Sequence, residues 1–262
     1  MPGWAAGFVR GVYIIFLLVP FVVAIPVSFS ELAVFPPNAF TLKWYGVFFS
    51  SRQFNQGWQI SLTLALIVAC ASTFVGALAA IAVMRYRIPG RRFIESLILS
   101  PLIVPEVATG IGLIFYFAYT GLLEGWTRLV IAHVIVTTPY VVRVMTATLY
   151  AFDRSLEEAA MNLGATEIQV FRTVTLPIVR TGLVAGFIFA FMASFENLTI
   201  TAFVAQPGFG TLPVVLFGYV RDEFNPIVAV VTVVMIVGTS LVMLLADRLV
   251  GIDRLLRLRQ AG

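Results

Sequence analysis

One cysteine, Cys70, and one histidine, His133, stand in 262 residues. A disulfide within the chain is therefore impossible, and a cysteine-based or multi-histidine metal site is excluded. Charge is scarce as well. Only 11% of residues are Asp, Glu, Lys or Arg, against roughly 25% in a soluble domain. No Gly-x-x-x-x-Gly-Lys-[Ser/Thr] phosphate loop is present, so the chain has no means of its own to bind and split ATP. A His-Glu-x-x-His sequence and a Ser/His nucleophile pair are also missing, which argues against an intramembrane enzyme. There is no low-complexity segment and no internal repeat. The net charge of +4 does not point to nucleic acid, because basic residues in an apolar chain mainly report membrane orientation.

Apolar residues are what remain: they make up 60% of the chain. A helix needs about 20 of them to cross the hydrocarbon core. Six segments meet that length, at about 8–28, 60–84, 93–121, 127–149, 181–204 and 227–246. Without water to satisfy the backbone, these segments must be helices. The third contains Pro101 and Pro105, which should break it. The first is long for the apolar region of a signal peptide and lacks a small-x-small site after it, so it is read as a retained span. The fold class expected is thus an all-α membrane protein of six transmembrane helices in a single domain, 1–262.

Lys and Arg set the orientation. Lys43, Arg52, Arg128 and Arg221 fall on one side. The other side takes Arg10, the Arg85-Tyr86-Arg87 and Arg91-Arg92 cluster, Arg143, Arg154, Arg172, Arg180, Arg248 and the C-terminal Arg254, Arg257 and Arg259. That bias places both termini in the cytoplasm. The C-terminal arginines are suited to anionic lipid headgroups. The largest inner loop then runs over about 150–180.

That loop reads as two short helices. Asp153 or Ser155 can cap the first, with Glu157 and Glu158 in its first turn. Gly164 is placed to end it in a left-handed residue. Thr166 can cap the second, and Pro177 is expected to stop it. Leu156, Ala159, Ala160 and Leu163 share one face of the first helix. By periodicity alone this is a surface-lying amphipathic connector.

The full pattern is more specific. Glu158-Ala159-Ala160, three residues, Gly164, nine residues, then Val174-Thr175-Leu176-Pro177 resembles the EAA loop (about 151–178) of ABC importer permeases, with Val174 where that pattern has isoleucine. The resemblance covers nearly the whole chain and implies a type I importer permease fold in a bacterial inner membrane. It implies that Leu156, Glu158, Ala159, Ala160, Met161, Leu163, Gly164, Leu176 and Pro177 couple the chain to an ATPase. It also implies the partners: a second permease chain of different sequence, two ATP-binding subunits and a soluble extracytoplasmic binding protein. No cofactor is bound by this chain, while ATP and Mg are used by the partner ATPase.

The stretch Thr41-Leu42-Lys43-Trp44-Tyr45, Arg85-Tyr86-Arg87 with Gly90-Arg91, and the segment from Leu212-Pro213 to Pro226 are similar to the spermidine/putrescine permeases. A polyamine cargo follows from that likeness, with an opine, an amino-acid derivative or a phosphonate as the alternative.

Two acids lie inside apolar spans, Glu106 and Glu196, the latter beside Asn197. A charge at mid-bilayer costs roughly 2.5–3.5 kcal/mol on insertion scales, and such residues usually face a cavity or the protein interior. Carboxylates on a pathway would favour an amine cargo through charge-assisted hydrogen bonds. A solvated Glu106 and an internally paired Glu196 are equally compatible with the sequence. A proton-driven carrier using these two acids would need repeats that the chain lacks. Trp44, Trp58 and Trp126 read as interface anchors, with Trp44 and Tyr45 as candidate contacts for the binding protein. Cys70 reads as a small packing residue, His133 as a hydrogen-bonding partner of a neighbouring helix, and Gly76, Gly182, Gly186 and Gly238 as sites of close helix approach.

Overall fold

The computed structural model describes residues 3–122, 124–222 and 225–250. Arg254, Arg257 and Arg259 lie outside the described residues. Among the described residues the chain is helical, with one isolated antiparallel bridge between Ser30 and Phe40. Twelve α-helices follow in order: α1 Gly3–Ser28, α2 Lys43–Ser50, α3 Arg52–Arg85, α4 Arg91–Leu99, α5 Glu106–Thr120, α6 Gly125–Tyr150, α7 Ser155–Asn162, α8 Glu167–Val170, α9 Leu176–Phe195, α10 Thr199–Val204, α11 Leu212–Asp222 and α12 Ile227–Val250. Among the described residues, five helical stretches are long and apolar enough to cross a membrane, and six if the bent α4–α5 pair counts as one span.

The contacts divide the chain into two units, Met1–Gly57 with Val214–Ser240, and Trp58–Pro213 with Leu241–Gly262. In the first unit α1 is apolar nearly all round, and Phe8, Ile15 and Phe16 stay exposed, as suits a helix bathed in lipid. Aromatic contacts tie the rest of this unit together. Phe48 stacks on Phe54 at 5.7 Å, and Phe54 meets Tyr219 at 5.5 Å.

The second unit is built on α6 and α9, which pack along their lengths. Glycine makes that approach possible: a Cβ added at Gly182 would overlap the Thr148 hydroxyl, and one at Gly76 of α3 would fall 2.7 Å from Val141 Cβ. The buried core around them joins Leu64 and Val68, Leu113 and Phe117, Leu129 and Val136, and Ile200 and Val204. Apolar packing cannot distinguish these helices from lipid tails, so close approach and interhelical hydrogen bonds must hold them.

One span breaks where its prolines predict, and another differs from the sequence expectation. The third span is broken between Leu99 and Glu106. The axes of Arg91–Leu102 and Glu106–Thr120 turn by 104°. A 3-10 turn at Ser100–Leu102 carries Pro101, and Pro105 precedes the first turn of α5. The fifth is not continuous to Val204. It stops at Phe195, leaves Glu196 to Leu198 outside regular helix, and resumes as α10. Pro177 does not end the second loop helix either. A π-helical turn over Phe171–Thr175 runs straight into α9, where Pro177 occupies the first turn. The wider π-helical turn before it accommodates the ring within a continuous helical stretch.

Candidate functional site

The two breaks meet. Glu106, at the start of α5, and Glu196 and Asn197, in the gap after α9, line one cavity of about 300 Å³. Val136, Thr137 and Tyr140 of α6 form another wall, with Ala193, Leu198 and Thr199 closing it. Packing of α10 against α5 brings the ends together. Asn197 Nδ2 donates to Glu106 Oε1 at 3.3 Å, so the acid of one break is held by the amide of the other. The Asn197 Oδ1 accepts from the Ile200 N–H at 2.8 Å, and its carbonyl accepts from the Thr201 hydroxyl at 3.1 Å. The positive end of α5 lies at Glu106, in its first turn, where an acid is stabilised by the helix dipole. The pocket therefore carries two carboxyl groups, an amide and hydroxyls, walled by apolar side chains.

The loop over 150–180 forms a second candidate site. Asp153 Oδ1 accepts from the Ser155 N–H at 2.9 Å and opens α7. Gly164 follows its end at φ +89°, in the left-handed region. Thr166 and Gln169 form a reciprocal capping box at α8. The face of α7 splits by contact. Ala160 is half-buried, whereas Leu156, Ala159 and Leu163 point outward with Glu158 and Met161. Leu163 is 90% exposed. Leu176 and Pro177, at the start of α9, are exposed as well.

Glu157, not Glu158, fixes the helix. Its carboxylate accepts from Arg85 Nη2 at 2.6 Å and from the Thr175 hydroxyl. Arg154 Nη2 reaches the Met84 carbonyl at 3.0 Å. Burial pushes the Glu157 carboxyl up, but the bonds from Thr175 and Arg85 and the charges of Arg85 and Arg154 outweigh it. Its pKa lies below the ordinary glutamate value. Glu158 is left facing outward, its carboxylate without a hydrogen bond or ion pair among the described residues.

The loop is thus anchored to α3 through Arg85 and presents an apolar, acidic outer face. The model for the family described as binding-protein-dependent transport system inner membrane component matches residues 72–251. The chain belongs to that family. This permease is 30% identical to the spermidine/putrescine transport system permease protein PotC of Escherichia coli (strain K12), over 95% of this chain and 94% of that one. It is 34% identical to the putrescine transport system permease protein PotI of the same strain, over 80% of this chain and 78% of that one. Among solved structures, a bacterial ABC transporter involved in the import of the acidic polysaccharide alginate superimposes with a TM-score of 0.73 at 17% identity. That match covers 94% of this chain and 95% of the other. At that identity the likeness is one of fold. The permease is thus an ABC importer component, a multi-pass protein of the bacterial inner membrane, and a transporter subunit rather than an enzyme.

The other sequence candidates have local partners. In the permease the Tyr45 hydroxyl pairs with Ser28 Oγ at 2.9 Å, and Trp44 Nε1 donates to the Glu31 carbonyl at 3.2 Å. Both residues stay half-exposed. Cys70 is exposed on the outer face of α3 beside Ile67 and Phe74, so it is not packed within the chain. Trp58 stands edge-on to Phe195 at 5.7 Å, and Trp126 lies against Phe209. The residues that sequence reading missed are Glu157, Thr175 and Arg85 at the loop, and Thr137 and Tyr140 in the cavity. Glu157 precedes Glu158, and the contacts with Arg85 and Thr175 distinguish them.

Proposed function

We propose that this chain is the membrane subunit of an ATP-driven importer for polyamines or a chemically similar cationic solute. The observation that carries the cargo reading is the convergence of Glu106, Glu196 and Asn197 on one cavity at two helix breaks. An ammonium group entering it would meet acceptors from both sides and a low-dielectric wall. Charge-assisted hydrogen bonds there are stronger than neutral ones. The names of the two curated relatives point to the same class of cargo. In this reading the residues around the cavity form one half of the pathway. A second permease chain of different sequence supplies the other half.

Energy enters at the loop. Leu156, Ala159, Met161 and Leu163 form the surface that seats in the ATP-binding partner, with Glu158 offered to a basic residue there. Gly164 lets the chain turn back, and Leu176 and Pro177 pass the motion into α9. Two such ATPases use ATP and Mg, while this chain binds neither. Both termini and the loop face the cytoplasm, and a soluble binding protein delivers cargo from the other side. One solved relative carries such a protein, described as an alginate pentasaccharide-bound periplasmic protein in complex with its transporter.

The test is uptake of labelled putrescine and spermidine by vesicles holding the complete transporter, with and without ATP. Uptake that requires ATP, and that falls about 10- to 100-fold in Glu196→Gln, is expected from the loss of one hydrogen bond to a charged group. Uptake driven by a proton gradient alone would overturn the importer mechanism. Equal uptake by Glu196→Gln and the parent would remove the acid from the pathway.

A further inference from the structure

His133 is fully buried on α6 and is the chain's only imidazole. Its two ring nitrogens bond to opposite sides of one helix break. Nδ1 lies 2.9 Å from Ser194 Oγ, in the last turn of α9. Nε2 lies 3.0 Å from Thr201 Oγ1, in the first turn of α10. Between those two anchors sit Glu196, Asn197 and Leu198, three of the residues that line the cavity.

The donors follow from the surrounding bonds. Thr201 gives its hydroxyl proton to the Asn197 carbonyl, so its oxygen accepts from His133 Nε2–H. The neutral ring then presents Nδ1 as an acceptor, and Ser194 donates to it. His133 is itself tethered. Its carbonyl accepts from the Thr137 hydroxyl at 2.8 Å, and Thr137 pairs with Ser72 of α3 at 2.7 Å. A continuous polar path thus runs from α3 through α6 into both ends of the break. Elsewhere around these helices the contacts are mostly apolar, and apolar contacts do not fix the rotation of one helix on another in lipid.

We propose that His133 is a positioning residue that spans the α9–α10 break and thereby turns Glu196 and Asn197 toward the cavity. Without the ring, α9 and α10 lose their shared anchor on α6. The Asn197 carbonyl then keeps Thr201 but loses the fixed point that orients Thr201. The amide of Asn197 would no longer be held toward Glu106, and the geometry of the cavity would change although no lining side chain has changed. The functional consequence rests on the pathway reading of Glu196 and Asn197, but the positioning role does not.

Two readouts keep these apart. The first is geometric. In the full chain with Cys70→Ala, Leu198→Cys is labelled in native membranes with a small cationic thiol reagent. The rate is compared in the parent, His133→Leu and His133→Gln backgrounds. The glutamine carries an amide donor group and a carbonyl acceptor, and so can serve both anchors as the neutral ring does. We expect at least a fivefold change in rate for His133→Leu and a return to within twofold for His133→Gln. The second readout is transport. In the complete transporter, His133→Leu should raise the KM for cargo at least fivefold with kcat changed less than threefold, and His133→Gln should restore it. Should His133→Leu fail to accumulate in the membrane, Ser194→Ala removes the Nδ1 anchor alone and is expected to change labelling at least twofold. A parental labelling rate in His133→Leu, or in Ser194→Ala if that variant is needed, overturns the positioning role. Altered labelling with an unchanged KM upholds that role and overturns the cargo role of Glu196 and Asn197.

Discussion

The base of the loop that carries α7 offers a sharp test of how that helix is held. Glu157→Gln keeps the shape of the side chain and removes its charge. The parent carboxylate receives Arg85 at 2.6 Å and the Thr175 hydroxyl. Hydrogen bonds to a charged group contribute roughly 1.5–3 kcal/mol. The Arg85 side chain is 27% exposed and that of Glu157 14%, so solvent screens part of this and the low end applies. Glutamine still accepts a neutral bond, which leaves a loss of about 1.5 kcal/mol. A loss of that size raises the undocked population about tenfold. An eight-residue helix does not persist alone in water, so amide exchange in α7 reports docking directly. Exchange at Ala159 to Asn162 should accelerate about tenfold, with the interior of α6 unchanged. Acceleration below about twofold would show that the pair does not hold the loop.

The pH dependence has a definite sign. Glu157 has a folded pKa below its ordinary value of 4.5. A depressed acid contributes stability that is complete above its unfolded pKa and is lost as pH falls through the folded one. Docking should therefore be flat from neutral pH down to about 4.5 and weaken only below that. The Gln variant should lack this acid step.

Two further outcomes follow from the same geometry. Glu158→Lys should insert normally but lose transport-coupled ATPase activity in the assembled complex, since Glu158 faces outward and supports nothing within the chain; unchanged uptake would remove it from coupling. Gly182→Val should lower the stability of the detergent-solubilised chain by about 1–3 kcal/mol, because any Cβ there overlaps Thr148 and forces α6 from α9; a parental melting temperature would show that the two helices have room to part.

Much of the fold is legible in the sequence because lipid imposes strong rules. Apolar length alone identifies the spans, and α1, α3, α6 and α12 contain the expected segments. The family also emerges from local spacing, since the Glu158-Ala159-Ala160 and Gly164 pattern lies on contiguous residues. Caps are equally local, which is why Asp153, Gly164 and Thr166 are found where their chemistry points. The sharp fold of the third span and the gap in the fifth are less legible. Pro101 and Pro105 announce a break but not a turn of 104°. No proline or glycine marks Glu196 to Leu198; that gap is supported by tertiary bonds to His133 and Glu106, which no local pattern encodes. The choice between Glu157 and Glu158 depends on Arg85, 72 residues away. Cys70 shows the converse limit. Its small size suits packing, yet the single chain leaves it on an outer face.

A charge inside a membrane span is costly, and an interrupted helix in lipid leaves backbone groups to be satisfied by something else. Here the two burdens are placed together and relieve each other. The gap after Phe195 exposes the Asn197 carbonyl and the Ile200 N–H, and both find partners in Thr201 and the Asn197 amide oxygen. The break before α5 frees a helix N-terminus, and Glu106 stands on it. The remaining amide donor of Asn197 then binds Glu106 across the gap. Either break alone would leave an acid or an amide facing hydrocarbon. Their pairing makes a polar, cavity-lining seam that apolar neighbours can surround. Glu196 is the member of this group whose carboxyl has no hydrogen bond among the described residues, and it lines the same cavity. On the pathway proposed above, a cation passing through would interact with Glu196 most strongly, so its replacement is expected to weaken uptake more than it alters folding.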